Sequence, residues 1–220
     1  MDGWNRVRVV FGKRRKLRFL GQLDLGRTLD RALRRSGLAV RFTEGFNPRV
    51  RMAFPCASPT AMASSCEIVE IHVREPAGAA EVRAGLGAAL PEDLPVLDAE
   101  AVPDGERMRL LEARYAVRRN GREADASAEG PFEALLARDA IPAARRGKAV
   151  DLRPLLVGVR RAGDAVEVRV GFREDGGTAR PEDFLAAAGA DPSAFSCERT
   201  GMRVALRAAD GATTERGYGA

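Results

Sequence analysis

Arg6-Val7-Arg8-Val9-Val10-Phe11, followed after a basic turn by Asp24-Leu25-Gly26-Arg27-Thr28-Leu29-Asp30-Arg31-Ala32-Leu33, is the stretch on which the fold turns. Its first part alternates, with Val7, Val9 and Phe11 on one face and Arg6, Arg8 and Val10 on the other, and this predicts a strand. In its second part the period changes. Leu25, Leu29, Ala32 and Leu33 recur at i, i+4, i+7 and i+8, the single apolar stripe of a helix over about 24–36, and Gly37 supplies its C-terminal stop. Leu38 to Phe42 and Arg49 to Phe54 read as two further strands, joined by a loop whose Gly45, Asn47 and Pro48 favour a turn. Cys66 to Val73 alternates Ile68, Glu70 and His72 against Val69, Ile71 and Val73. A helix near 79–89 and a strand near 96–102 follow.

The resulting order, β-α-β-β-α-β, is that of a ferredoxin-like plait, with both helices on one face of an antiparallel sheet. Pro103-Asp104-Gly105 marks a joint, after which the order nearly repeats. A strand is expected at 108–118, a polar loop at 120–130 and a helix near 131–138. Strands at 155–161 and 165–173, a helix starting at Arg180-Pro181-Glu182-Asp183 and a strand at 204–206 complete the second half. The fold class expected is therefore α+β, with two tandem ferredoxin-like modules. The first, basic module covers residues 1–104 and the second 105–207; the small, polar residues 208–220 read as a disordered tail.

With 220 residues, 45% of them hydrophobic and 30% charged, the composition is that of a chain that buries a core without staples. No apolar run approaches the ~18 residues of a membrane helix, and residues 1–4 lead into the first strand without an apolar signal core. The expectation is a cytoplasmic protein with no membrane partner. Cys56, Cys66 and Cys197 form no Cys-x-x-Cys pair, and His72 is the only histidine, so no zinc site, iron–sulfur cluster or other metal or cofactor is expected. The net charge of +5 is unevenly placed. Residues 1–51 hold 14 Lys or Arg against 4 Asp or Glu, and residues 52–220 hold 22 against 27. A polyanion such as RNA, or an acidic protein surface, is drawn to the first end.

Two basic motifs stand at that end. Lys13, Arg14, Arg15, Lys16 and Arg18 put five cations in six positions directly after a strand, where they either contact phosphates or form a solvated turn. Phe46, Asn47 and Pro48, followed by Arg49 and Arg51, form either a recognition loop beside two guanidinium groups or ordinary turn chemistry with a basic edge. Asp24 with Arg27, and Asp30 with Arg34, are spaced as helix surface pairs. Asp151 and Arg153 read as a pair that fixes a loop, and His72 as a structural side chain. No Ser-His-Asp set, histidine acid/base pair or Gly-rich phosphate loop is present, so no catalytic residue is assigned.

The run Leu17-Arg18-Phe19-Leu20-Gly21-Gln22-Leu23-Asp24-Leu25-x-Arg27, then Arg31 to Leu38, Gly45-Phe46-Asn47-Pro48, Ser58 to Ser64, Glu67-x-x-Glu70, Val150 to Pro154 and Arg180-Pro181-Glu182, resembles the radical-SAM-associated domain family of unknown function. Members of that family occur beside, or fused to, a radical SAM protein, which implies a radical SAM partner. The chain departs from the family's pattern at Gln22, where a His is usual, at Arg49-Val50-Arg51, where His-Pro-Lys is usual, at Ala61 for Gly and at Glu70 for Asp. Gln cannot shuttle a proton near neutral pH, whereas Arg49 and Arg51 keep positive charge, so binding survives these changes more easily than catalysis. The expected function is that of a non-catalytic accessory protein that works with a radical SAM enzyme and holds RNA or another anion on its basic face. One alternative is a module that docks the partner without RNA. Another is a metal-independent RNA-processing enzyme resembling the repeat-associated RNA endonucleases, against which the scarcity of His counts.

Overall fold

In the computed structural model, which describes residues 3–120, 129–145 and 147–219, the chain is α+β, with mostly antiparallel strand pairing and four α-helices among the described residues. It divides into two units, Met1–Arg109 with Ala205–Tyr218, and Leu110–Val204 with Gly219–Ala220. Residues 121–128, most of the expected polar loop, lie outside the described residues. No helix among the described residues is long and apolar enough to cross a membrane.

In the first unit β1 (Trp4–Lys13) pairs antiparallel with β3 (Ala63–Arg74) on one side and β4 (Val96–Ala101) on the other. The period-two pattern fixes its faces. Val7, Val9 and Phe11 share a core with Val69, Ile71 and Val73 of β3, with Leu25, Leu29 and Leu33 of α1 (Gln22–Arg35), and with Val82 and Leu86 of α2 (Ala79–Ala89). A fully buried aliphatic side chain contributes about 1.5–3 kcal/mol, so one helix stripe of three leucines holds α1 firmly against the sheet.

The expected strands at 38–42 and 49–54 shrink to the two-residue β2 (Met52–Ala53), paired at Met52↔Ile71, and to single bridges Val40↔Val73 and Phe42↔Val50. The reason is that much of this segment's backbone bonds within itself or to α1 rather than to a long ladder. Thr43 N donates to Arg49 O at 2.8 Å, Arg51 N to Arg41 O at 2.8 Å, and Val50 N to the Asp30 carboxylate at 2.8 Å.

The polar face of β1 is buried as well. Arg8 lies opposite both Glu70 and Glu100 in register and is 1% exposed. Its guanidinium donates to Glu70 at 2.8 Å, Glu100 at 2.8 Å, Glu106 at 2.8 Å and the Tyr218 hydroxyl at 3.0 Å. Tyr218 sits on β11 (Thr213–Gly219), which pairs with β10 (Phe195–Arg207), where sequence patterning leads one to expect a disordered tail. Residues 213–219 are polar and mostly exposed, so no hydrophobic period announces the strand; one buried tyrosine and its charged partners order it.

The second unit pairs its strands in the order β10-β5-β9-β8, with β5 (Arg107–Arg119), β8 (Leu156–Ala162) and β9 (Ala165–Gly171). Tyr115, Val117, Val166, Val168 and Val170 are buried on these strands. Phe132 and Leu135 are buried on α3 (Glu129–Leu136), and Phe184 and Leu185 on α4 (Pro181–Ala187). Two features depart from the expected repeat. A hairpin of β6 (Pro142–Arg145) and β7 (Lys148–Asp151) is inserted after α3, and the final strand runs 13 residues where three were expected. Gly201 interrupts the side-chain pattern of β10, and a Cβ there would meet the Arg114 guanidinium at 2.6 Å. The strand therefore carries a glycine where alternation would place a side chain.

Candidate functional site

The expected anion-binding residues fall into three groups. Lys13 departs from expectation. It is fully buried at the end of β1, and its ammonium donates to the carbonyls of Pro59 at 2.5 Å and Leu20 at 3.3 Å, so it anchors the chain and meets no external anion. The strand's inward alternation continues through Lys13, and a buried ammonium needs such acceptors.

Arg14, Arg15, Lys16 and Arg18 form the second group, exposed on the turn between β1 and α1. Arg15 adopts a left-handed φ of +45°, which turns the chain sharply, and lies 3.7 Å from Asp93. Arg18 stacks over the Phe19 ring at 4.8 Å. Arg14 and Lys16 have no side-chain partner among the described residues.

The third group meets at a cavity. α1 presents Gln22, Gly26 and Asp30 at i, i+4 and i+8, with Leu23 and Arg27 beside them, and the segment 49–54 faces this stripe. Together they form a half-open cavity of about 450 Å³, with Gln22, Arg27, Asp30 and Arg49 as its polar lining and Leu23, Val50, Met52 and Phe54 as its apolar lining. An adjoining hollow of about 380 Å³ shares Asp30 and Arg49 and adds Arg34, Asn47 and Pro48. Gln22 and Arg49, the two positions at which the family resemblance leads one to expect histidines, thus line one cavity. None of Lys13 to Arg18 lines it.

Asp30 organises the cavity. One carboxylate oxygen accepts from Arg34 Nε at 2.7 Å, the other from Val50 N at 2.8 Å, and Arg34 also donates to the Pro48 carbonyl at 2.9 Å. Burial works against the Asp30 charge, but the hydrogen bonds from Arg34 and Val50 and the nearby charges of Arg34 and Arg49 outweigh it and hold the carboxyl below its ordinary value. Gln22 is oriented by the Ser58 amide, which donates to its Oε1 at 2.7 Å. Arg27 pairs with Asp24 at 3.0 Å on the exposed side. The Arg49 side chain has no hydrogen-bond partner among the described residues, and Arg51 is exposed in the same way on the next outward position.

Phe46 is wholly exposed at the tip of the loop, Leu23 is 77% exposed, and Phe19 and Phe42 are also open. Phe42 carries the Arg34 guanidinium over its ring at 4.8 Å. These apolar groups are not legible as a surface in the sequence, where Phe19 and Phe42 resemble strand or helix core. Gly26 and Asp30 are legible in principle, since their spacing from Gln22 puts all three on one helix face.

Asp151 and Arg153 belong to the second unit. The Asp151 carboxylate accepts from the amides of Ile141 at 2.8 Å and Arg153 at 2.9 Å, and the Arg153 guanidinium donates to the carbonyls of Arg138, Leu156 and Leu136 at 2.9, 3.2 and 3.3 Å. The pair clasps the hairpin to the end of α3. The amides of Arg153 and Ile141 hold the Asp151 carboxyl below its usual range. Among the described residues no group of three His, Cys, Asp or Glu side chains is placed to hold a metal ion.

Residues 6–181 match a family described as uncharacterised proteins conserved in bacteria (DUF2344). No curated protein matches the chain.

Proposed function

We propose that this chain, which belongs to the DUF2344 family of uncharacterised proteins conserved in bacteria, is a non-catalytic accessory protein that works with a radical SAM enzyme and holds RNA on the basic face of its first unit. One observation carries the RNA reading: Arg14, Lys16, Arg31 and Arg51 are exposed cations with no side-chain partner among the described residues, and the exposed Arg49, near the Asp30 charge, makes no side-chain hydrogen bond among them. Exposed cations such as these, carried on three segments of one unit, attract phosphates and release counterions on binding. The radical SAM half rests on the family resemblance of the motifs between Leu17 and Glu182. The order β4-β1-β3, with β2 paired to β3, supports the ferredoxin-like reading of the first unit. Asp30, with both oxygens engaged and its carboxyl held below the ordinary range, is poorly suited to act as a general base near neutral pH, which supports holding over cleavage.

The test is binding of bulk tRNA across a salt series, comparing the wild type with a variant carrying Arg14→Glu, Lys16→Glu, Arg49→Glu and Arg51→Glu whose folding is checked by circular dichroism. The wild type is expected to bind with a steep log–log salt dependence. Each phosphate that the variant no longer neutralises lowers that slope by about 0.7–0.9. Salt-independent binding, or equal binding by the variant, overturns the reading.

A second reading, docking of the radical SAM partner on the same face, is favoured by the exposed Phe46 and Leu23. Apolar docking predicts that the partner co-purifies in high salt and is lost on Phe46→Ser.

A further inference from the structure

Gly26 stands in the middle of α1, where a glycine costs about 1 kcal/mol relative to alanine. Neither of the usual reasons explains it. Its φ is helical, and a Cβ built there meets nothing within 4 Å, so no neighbour demands a close approach. The space a side chain would enter is the cavity, which Gly26 lines.

The polar groups left over in that cavity are of one kind. Asp30 has both oxygens occupied by Arg34 and Val50, and Gln22 Oε1 is occupied by the Ser58 amide. The Gln22 amide NH₂ and the Arg49 guanidinium make no hydrogen bond among the described residues, although Arg49 lies near the Asp30 charge, and these two donors stand beside the apolar Leu23, Met52 and Phe54. The complementary ligand is a flat, largely apolar group that carries hydrogen-bond acceptors and is joined to an anion. Phe46, wholly exposed on the loop that borders the adjoining hollow, adds a stacking surface of the kind single strands use. A base inside a duplex cannot enter, because A-form helices keep their base faces stacked.

We infer that the cavity takes one unpaired nucleotide, its base against Leu23, Met52 and Phe54, its acceptors toward Gln22 and its phosphate on Arg49. This deepens the RNA reading and rests on it: the bound RNA is single-stranded or looped at this point.

The experiment compares a 12-nucleotide single-stranded RNA with a blunt duplex of equal total phosphate count, for wild type, Gly26→Leu and Phe46→Ala. Leucine at 26 projects an isobutyl group into the cavity and takes up part of its space, leaves every cation in place and raises helix propensity, so the fold is retained; melting temperature checks this. Phe46 is fully exposed, so its removal leaves the core untouched. Wild type is expected to prefer the single strand at least tenfold. Gly26→Leu is expected to lose that preference while duplex affinity and salt slope stay unchanged, and Phe46→Ala to weaken single-strand binding about tenfold. If Gly26→Leu binds the single strand as wild type does, the cavity assignment fails while the RNA reading stands. If wild type binds neither RNA, the RNA reading itself fails and the cavity assignment with it. If Gly26→Leu instead loses capture of the radical SAM protein with RNA binding intact, the cavity is a protein-docking site and the inference is overturned.

Discussion

Asp30 accepts hydrogen bonds from a helix side chain and from the amide of Val50, so a single carboxylate fixes both the wall of the cavity and the chain that faces it. Its side chain is only 15% exposed, and loss of hydrogen bonds to a charged group of this kind costs about 1.5–3 kcal/mol. Asp30→Ala should therefore lower stability by about that much at pH 7, measured by urea unfolding. The pH dependence follows from the direction of its shift. The folded carboxyl titrates below the unfolded value of about 3.9, so the unfolded state binds the proton first as pH falls. The stabilisation is complete above that value and is lost as pH drops through the folded one. The difference between wild type and Asp30→Ala should be constant from pH 6 to 8 and vanish in strong acid; a difference that grows as pH falls would mean that the carboxylate is not what holds the loop.

On the scale of the element, α1 combines a leucine stripe that seats it with a flanking stripe, Gln22, Gly26 and Asp30, that is partly hollowed by Gly26. The first stripe is a matter of burial and the second of space, and they can be separated. Gly26→Ala adds a methyl group with nothing within 4 Å to clash, and should raise stability by about 1 kcal/mol, seen as a higher urea midpoint with unchanged slope. No gain would mean that the helix is locally strained at this position. The same distinction explains what can be read from the sequence. β1, α1, β3, α2 and β4 are legible because Val7, Leu29 and Ile71 recur at the period of their element and all face one core. The segment 38–54 imitates two full strands because Val40, Phe42, Val50 and Met52 do alternate, while the hydrogen bonds that decide its path come from Asp30, Thr43 and Arg34, groups that periodicity does not weigh. Of the candidate site, the cations at 14–18 and 49–51 are visible as charge. Their placement relative to Gln22 is not, because it depends on which face of α1 the loop returns to. Lys13 misleads for the converse reason: charge counts in a sequence do not show that the strand's inward face continues through it.

On the scale of the whole chain, the first unit is built from both ends of the described chain, and the link between them is the buried Arg8 cluster. Tyr218 donates to Glu100 at 2.6 Å and accepts from Arg8 at 3.0 Å, and Arg216 also pairs with Glu100. Burial works against the Arg8 charge, but its hydrogen bonds to Glu106, Glu100 and Glu70 more than offset this and hold the guanidinium above its ordinary value; burial likewise pushes the Tyr218 phenol up. Both groups therefore keep their roles across the neutral range. A buried cation among three carboxylates is strongly destabilising when broken in part, since the groups left behind stay out of water. Ending the chain after Arg207 removes the Tyr218 hydroxyl and the Arg216 charge while leaving Arg8, Glu70, Glu100 and Glu106 in place. This truncation should destabilise the protein by about 2–4 kcal/mol, and Tyr218→Phe, which removes only the hydroxyl, by about 1.5–3 kcal/mol, both read from urea unfolding. A truly disordered tail would predict no change from either. Hydrogen exchange separates the two views a second time, because the amides of β1 opposite Glu100 should lose protection in the truncated chain only if residues 213–219 close the sheet over Arg8.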